Sequence, residues 1–263
     1  MISVPDIFSV RDRVAIVSGG HTGLGKVMAE ALLEAGAHVA VCSRRPEKWS
    51  ESFAGLKSTA LQHNRELLDF KCDVTNNMQV AEMVSATISK LGKVDILVNN
   101  AGTAWAAPAD QMSLEDWKKV LDSNLTGSFI LSQEVGRHMI STRKGKIINI
   151  TSIAALRGTQ PEILDTLAYS AAKAGVIGFT RDLAVKWARH NVNVNAIAAG
   201  WFPTHMTRSL LASRAEMITS KTPLGRLGKP SDLKGVVVFL SSPASDYITG
   251  QVIVVDGGIS ASF

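Results

Sequence analysis

The chain has 263 residues, of which 46% are hydrophobic and 19% charged, and its formal net charge is +5. These proportions are ordinary for a globular protein and exclude a disordered or fibrous chain, while the length favours one α/β domain over two. The sequence contains neither a secretory signal pattern nor an apolar run of about 18 residues, so we expect a cytoplasmic protein that does not enter a membrane. Its modest, scattered positive charge favours an anionic cofactor over a nucleic acid.

Short apolar segments of β-forming residues alternate with longer segments of helical periodicity, which is the pattern of repeated βαβ units. The alternation predicts one Rossmann-like, doubly wound α/β domain over residues 1–263, with a seven-stranded parallel sheet and helices on both faces. The predicted strands are 14–18, 38–42, 67–72, 94–99, 146–151, 191–197 and 251–256. The segment 205–223 is predicted to form a small substrate lid.

A long helix is predicted between the fourth and fifth strands. It should begin at a capping box formed by Ser113 and Asp116. Asn124 and Gly127 are poor helix formers, so we expect them to weaken its middle. The residues spaced to form its buried face are Leu114, Trp117, Leu121, Leu125, Val135 and Met139.

A glycine-rich turn follows the first strand and leads directly into a helix. Glycines there let the backbone approach a pyrophosphate, whose charge is favoured at a helix N-terminus. The spacing differs from the common Gly-x-Gly-x2-Gly fingerprint, and such a turn could also simply join a strand to a helix. Its position after the first strand favours nucleotide binding. The candidate contacts are Gly19, His21, Thr22, Gly23, Leu24 and Gly25.

The end of the second strand indicates which dinucleotide is bound. A carboxylate at this place binds the ribose 2′-hydroxyl and selects NAD, whereas this chain has Ser43, Arg44 and Arg45. Two arginines can pair with a 2′-phosphate, and the serine can add a hydroxyl donor. The sequence therefore predicts NADP(H). The alternative is that both arginines are merely solvated at a helix start.

Two further strand ends supply candidate cofactor contacts. Asp73, with Val74 beside it, follows the third strand; it could accept a hydrogen bond from an adenine amino group or cap the next helix. Asn100, Ala101 and Gly102 follow the fourth strand, where small residues would let the backbone lie against the cofactor. This second segment could also be an ordinary turn.

The two cysteines, Cys42 and Cys72, each end a predicted strand. We expect buried, reduced thiols, although a disulfide between them stays open. No second Cys pair or His cluster completes a set of metal ligands, so no metal is predicted.

Tyr169 and Lys173 are four residues apart, which places them on one face of a helix. A phenol has a pKa near 10, so a cation held close by would lower it toward neutrality. Such pairs also arise by chance on many helices. The context favours function, because Ser152 and the glycine turn both follow strand ends, where open α/β sheets bind their ligands.

Taken together, these motifs resemble the short-chain dehydrogenase/reductase superfamily from about residue 14 to residue 258. The subgroups that look most similar are 3-oxoacyl-carrier-protein reductases and gluconate or polyol dehydrogenases. The matching elements are Gly19, Gly23, Gly25, Asp73, the segment 99–102, Asn124, Ser152, Tyr169, Lys173, Thr204 and the segment 255–258.

The resemblance implies an NADP(H)-dependent oxidoreductase that interconverts a carbonyl and a secondary alcohol by hydride transfer. Tyr169 would exchange the substrate proton, and Ser152 would orient the carbonyl oxygen. Lys173 would bind the nicotinamide ribose and lower the pKa of Tyr169. Asn124 would hold a water molecule that belongs to a proton relay. A local distortion of the helix would free a backbone carbonyl to bind that water. A homotetramer is also implied, with the segment 255–258 near an interface.

Further cofactor contacts are expected from Gly200, Phe202, Thr204 and Met206. The chain departs from the family pattern at three places. Ser18 replaces the usual Thr and keeps its hydroxyl, and Ala199 replaces a frequent Pro, which should loosen the loop that follows. An insert at 157–167 lengthens the interval between Ser152 and Tyr169.

The candidate walls of the substrate site are mostly apolar, which favours a ketone with hydrophobic bulk. A sugar-acid or polyol dehydrogenase of the same family stays open as the alternative. A non-catalytic nucleotide-binding regulator is disfavoured by the intact catalytic residues, and a nucleotide-sugar epimerase by the roughly 60 residues that follow Gly200. The wall residues are Trp105, Leu156, Ile163, Trp201, Phe202, Met206, Leu210 and Met217.

Overall fold

A parallel sheet of seven strands organises the protein in a computed structural model that describes residues 3–262. The strands are β1 (Val14–Ser18), β2 (His38–Ser43), β3 (Leu67–Lys71), β4 (Ile96–Asn99), β5 (Gly145–Ser152), β6 (Val192–Ala199) and β7 (Val252–Val255). Their order is β3-β2-β1-β4-β5-β6-β7, and every neighbouring pair is parallel. All seven predicted strands are confirmed, with ends that differ by at most two residues.

Helices cover both faces of this sheet. They are α1 (Val4–Ile7), α2 (Gly23–Glu34), α3 (Ser50–Gln62), α4 (Asn77–Leu91), α5 (Leu114–Leu121), α6 (Gly127–Thr142), α7 (Leu167–Trp187), α8 (Arg208–Ser220) and α9 (Ser231–Ser241). Buried side chains of α2, α3 and α9 pack on one face, and those of α4, α6 and α7 pack on the other. The predicted doubly wound α/β domain is confirmed.

Side chains that alternate along the central strands fill the hydrophobic cores on both faces of the sheet. On β1, Ala15 and Val17 face the α2 side, while Ile16 between them faces the α4 side. Successive side chains of a strand point to opposite faces, so a strand covered on both sides is apolar at every position. This explains the continuous apolar strands of the sequence and holds the strand ends rigidly around the cleft described below.

The predicted long helix is interrupted in its middle. Helices α5 and α6 continue through a π-helical segment, Asp122–Thr126, which contains Asn124. The predicted capping box is confirmed in part: Ser113 Oγ accepts from Asp116 N at 3.0 Å, whereas Asp116 Oδ2 accepts from the Ser113 hydroxyl at 2.7 Å instead of from the Ser113 backbone N–H. Leu114 was wrongly assigned to the buried face, since it is 66% exposed in the first turn.

Within residues 3–262, no helix has both the length and the apolar character that crossing a bilayer requires. The same residues contain no group of three or more His, Cys, Asp or Glu side chains arranged to hold a metal ion. Both cysteines are buried and are free thiols rather than a disulfide.

Candidate active site

A cleft of about 1540 Å³ lies at the carboxyl ends of the strands. Its walls include the residues that directly follow six of them, which is where open parallel sheets bind ligands. The four predicted catalytic residues line it: Asn124, Ser152, Tyr169 and Lys173. So do the predicted cofactor contacts Gly19, Thr22, Gly23, Leu24, Ser43, Arg44, Arg45, Asp73, Val74, Asn100, Ala101, Gly102, Gly200, Phe202, Thr204 and Met206. His21 and Gly25 do not.

The glycine turn has a backbone that other residues would strain. Gly19 and Gly23 have φ angles of +64° and +56°, in the left-handed region. A Cβ on Gly25 would lie 2.2 Å from the carbonyl oxygen of Gly19, so the third glycine allows the helix start to pack against the turn. Gly25 therefore shapes the turn from behind instead of lining the cleft.

Ser18 ties the turn to the segment after β4. Its hydroxyl oxygen accepts from the backbone N–H groups of Asn100 and Ala101, each at 3.0 Å. The Asn100 amide donates back to the Ser18 carbonyl at 3.0 Å. A hydroxyl is thus required here to satisfy two backbone donors, and serine supplies it.

His21 lies behind the turn and not in the cleft. Its side chain is completely buried, its Nε2 lies 2.7 Å from Asp69 Oδ1 on β3, and its ring stacks on Phe53 of α3. In this geometry the His21 side chain therefore does not reach a ligand in the cleft. The residue anchors the turn to two neighbouring elements.

The end of β2 carries two exposed arginines and an unsatisfied hydroxyl. Among the described residues, neither Arg44 nor Arg45 lies within ion-pair distance of a carboxylate, and the buried Oγ of Ser43 has no hydrogen-bond partner. Leaving a buried polar group unsatisfied costs roughly 1–3 kcal/mol. A ligand oxygen at this place would therefore gain a hydroxyl donor and two cations.

Asp73 is held at the end of β3 by its own loop. Its Oδ1 accepts from the backbone N–H and the hydroxyl of Thr75, at 3.0 and 2.8 Å. The N-cap of α4 is Asn76, which accepts from Gln79 N at 3.1 Å. Of the two alternatives for Asp73, the helix cap is therefore wrong.

Tyr169 and Lys173 lie on the first two turns of α7. The Lys173 side chain is only 4% exposed, and its Nζ donates to the carbonyl oxygen of Ile150 on β5 at 2.8 Å. The same Nζ lies 5.6 Å from the centroid of the Tyr169 ring. Burial lowers the pKa of Lys173 to about 8, so the side chain is still mainly a cation at neutral pH.

The expected lowering of the Tyr169 pKa is wrong. Burial raises the pKa of this phenol above its ordinary value, and the Ser152 hydroxyl opposes the effect only in part. The cost of removing a charged phenolate from water exceeds the stabilisation that its neighbours supply here. Tyr169 is consequently a neutral phenol at neutral pH, able to donate a proton.

Asn124 faces the same region from the π-helical segment. Its Nδ2 donates to the carbonyl oxygens of Thr103 and Val120, at 2.7 and 2.8 Å. Its buried Oδ1 has no hydrogen-bond partner among residues 3–262, and a Cβ on Gly102 would lie only 2.3 Å from that oxygen. The backbone carbonyl of Asn124 already accepts from Ser128 Oγ at 2.9 Å, so that carbonyl is not free of protein donors.

The substrate end of the cleft is more polar than expected. Trp105 and Leu156 lie outside the cleft walls, and Trp105 instead lines a smaller neighbouring pocket. The sequence analysis did not single out several residues that line the cleft, most of them polar, although four of them lie in the insert at 157–167. The predicted walls that do line the cleft are Ile163, Trp201, Phe202, Met206, Leu210 and Met217. The missed residues include Arg157, Gly158, Thr159, Gln160, Ser209, Ser213, Arg214 and Lys221.

Comparisons with known proteins agree with this site. The family model described as Enoyl-(Acyl carrier protein) reductase matches residues 19–260. Gluconate 5-dehydrogenase of Gluconobacter oxydans is 36% identical over 263 residues, covering 99% of this chain and 100% of that protein. The 3-oxoacyl-[acyl-carrier-protein] reductase of Synechocystis is 38% identical over 248 residues, with coverages of 94% and 96%.

A solved structure gives the same result. The gluconate 5-dehydrogenase of Burkholderia cenocepacia, in complex with NADP and tartrate, has a TM-score of 0.91 and 33% identity, and covers 99% of this chain and 100% of that one. Both predicted subgroups, reductases of carrier-protein thioesters and sugar-acid dehydrogenases, are thus among the relatives. The chain belongs to the short-chain dehydrogenase/reductase family, whose members are oxidoreductases that act on CH–OH and C=O groups.

Proposed function

We propose that this protein is an NADP(H)-dependent oxidoreductase that interconverts a ketone and a secondary alcohol, with Tyr169 as the acid/base. The observation that carries the proposal is that Tyr169, Lys173 and Ser152 line the same cleft as the glycine turn. The relatives named above are dehydrogenases and reductases, which disfavours both the regulator and the epimerase.

The fit of a dinucleotide rests on three features of the cleft. The left-handed turn at Gly19 and Gly23 lines the cleft at the start of α2, where a helix N-terminus favours the charge of a pyrophosphate. The Ser43 hydroxyl and the two arginines beside it, which have no partner in the part of the chain that the structure describes, suit a 2′-phosphate. The relative from Burkholderia cenocepacia was crystallised with NADP. When bound, the reduced cofactor supplies the hydride.

The chain's own residues would handle the proton and the carbonyl. The raised pKa of Tyr169 keeps its phenol protonated at neutral pH, as a donor to a carbonyl oxygen must be. Ser152, at the end of β5, would hold that oxygen. Lys173 would bind the nicotinamide ribose, and its charge would stabilise a phenolate after proton transfer. The unpartnered Oδ1 of Asn124 would hold the water that returns the proton.

Two measurements test this proposal. Tyr169→Phe should fold and bind NADPH like the wild type while losing at least about 1000-fold in kcat, because the proton donor is gone. Retained turnover would refute the acid/base role. A double variant, Arg44→Gln with Arg45→Gln, should weaken NADPH binding about 10- to 100-fold with little effect on NADH. Equal effects on both cofactors would refute the 2′-phosphate assignment.

We also propose a cytoplasmic homotetramer whose substrate lid is the segment 205–223. Support for association comes from exposed apolar side chains at two places. Phe129 on α6 is 46% exposed beside Phe179 on α7, and Val254 is 41% exposed on the edge strand β7. Light scattering that gives a monomer would overturn the assembly. The lid consists largely of α8, whose side chains line the cleft, including Leu210 and Met217.

A further inference from the structure

The end of the cleft beyond Ser152 and Tyr169 has an unbalanced positive charge. Arg157 lies in the insert at 157–167, and Arg214 lies on α8; both line the cleft. Among residues 3–262, the only carboxylate side chain that lines the cleft is Asp73, which lies at the end of β3 near the opposite end of the sheet. No acidic side chain of the described walls therefore opposes these two arginines.

Arg214 joins the two segments that form this end. Its Nη1 donates to the carbonyl oxygen of Ile163, in the insert, at 3.3 Å. This is its only hydrogen bond within the part of the chain that the structure describes, and it forms no ion pair there. A guanidinium has five N–H donors in a planar fork. One bond fixes the side chain at the cleft wall, and the remaining donors are available to a ligand.

Arg157 is close to an acid without being neutralised by it. Burial works to raise the pKa of Asp256, but hydrogen bonds to Ser260 and Gly258 hold it below its ordinary value, and the charge of Arg157 lowers it further. The carboxylate oxygens of Asp256 accept from the backbone N–H groups of Gly258 and Ser260, each at 2.8 Å. Arg157 itself forms no ion pair among the described residues.

The insert that carries Arg157 is folded on itself. Thr159 Oγ1 donates to the carbonyl oxygen of Leu164 at 2.9 Å, and Ile163 N donates to the carbonyl oxygen of Gln160 at the same distance. Polar side chains stand beside the arginines on the cleft wall: Gln160 in the insert and Ser213 on α8. Amide and hydroxyl groups of this kind bind substrate hydroxyls.

We propose that Arg214, assisted by Arg157, binds the carboxylate of the substrate, so that the enzyme acts on small hydroxy and keto acids. The proposal rests on the function proposed above and adds its substrate class. A planar guanidinium fork matches a carboxylate through two parallel hydrogen bonds, which fixes the orientation of the acid as well as its charge. The reacting carbon of the substrate then lies toward Tyr169, and the hydroxyls on the substrate's carbon chain face Gln160 and Ser213.

The test compares matched acid and neutral substrates with NADPH. The wild type should reduce 5-ketogluconate with a kcat/KM at least about tenfold above that for L-sorbose, a neutral ketose of equal chain length. Arg214→Gln should raise KM for the acid about 10- to 100-fold with a much smaller change in kcat, because the lost contact is made equally in the ground and transition states. Its activity on the neutral ketose should change less than about twofold.

Arg181→Gln is the matched control, since Arg181 is exposed on α7 and lies outside both the cleft walls and the proposed lid. It should behave like the wild type with both substrates, and Arg157→Gln should show a smaller loss specific to the acid. Unchanged NADPH affinity and an unchanged melting temperature will establish that the variants fold.

A binding measurement separates this proposal from the function on which it rests. Calorimetric titration of tartrate into the wild-type enzyme loaded with NADPH should show binding that Arg214→Gln weakens about tenfold or more. If neutral ketones are reduced and acids are not, the carboxylate site is wrong and the reductase stands. If no compound is reduced, the proposed function fails, and unaltered tartrate binding in Arg214→Gln refutes the carboxylate site as well. A preference for a phosphorylated ketose over the acid would also overturn it.

Discussion

Replacing Lys173 by Met should make the protein more stable and inactive. Lys173 is only 4% exposed as a residue, and burial lowers the pKa of its ammonium group from 10.5 to about 8. At 1.36 kcal/mol per pH unit, holding the cation in the folded state at pH 7 costs about 3 kcal/mol. Removing it also breaks the hydrogen bond to Ile150 O and leaves that carbonyl unpaired, a loss of about 1–2 kcal/mol. The net expectation is a gain of about 1–2 kcal/mol in the free energy of unfolding.

The pH dependence has a definite sign. Because the folded pKa of Lys173 lies below the unfolded one, the unfolded chain binds more protons between about pH 8 and 10.5. The cost of the buried cation is therefore complete below pH 8 and disappears as the pH rises toward 10.5. The stability advantage of Lys173→Met should shrink across this range and reverse near its upper end, where only the lost hydrogen bond is left.

Urea unfolding followed by circular dichroism at pH 7.0 and 9.5, at one protein concentration, measures both effects. Lys186→Met is the matched control on the same helix. Lys186 is exposed in an ion pair with Asp182, so its replacement should change stability by less than about 1 kcal/mol. If Lys173→Met is destabilised at pH 7, or if its difference from the wild type is the same at both pH values, the buried-cation argument is refuted.

Two other substitutions probe one wall of the cleft and the support behind its glycine turn. Gly102→Ala should lower kcat at least about 100-fold in a steady-state assay, because its Cβ would lie 2.3 Å from the amide oxygen of Asn124. The control is Gly178→Ala, at an exposed helical position with open space around it. This control should be neutral or should stabilise the protein by up to about 1 kcal/mol in a melting assay. His21→Ala should destabilise the fold by about 2–4 kcal/mol and weaken NADPH binding, since it removes the contact to Asp69 behind the glycine turn. Urea unfolding measures the first effect and calorimetry the second. Unchanged values for both would contradict the anchoring role.

The strands and the cofactor end could be predicted because their signals are local. Each central strand is buried on both faces, so its apolar run is visible without knowing its partners. The glycines of the turn and the arginines after β2 come directly after strands, so their places in the fold follow from their positions in the sequence. His21 lies in the same turn, yet its burial depends on Phe53 and Asp69, which come from later elements. Nothing in the turn itself could have shown which way this side chain points.

The electrostatics of the catalytic group could not be predicted, for a different reason. Spacing placed Tyr169 and Lys173 on one helix face, and the sign of the Tyr169 pKa shift was then inferred from the attraction of the two charges alone. That sign also depends on desolvation, which belongs to the assembled cleft. The same limit applies to Arg214, since its position at the cleft wall arises from a contact with an insert about 50 residues earlier.

Ala199, which replaces a frequent Pro, lies inside a strand and not in the loop that follows it. Strand β6 lies between β5 and β7, where a proline could not donate to the ladder. With alanine there, β6 extends two residues past its predicted end, and Ala199 pairs with Ser152 on one side and Val255 on the other. Gly200 N then donates to Val255 O at 2.9 Å. Sheet pairing thus holds the start of this loop beside Ser152, the predicted catalytic serine, because the two strand ends are neighbours in the sheet.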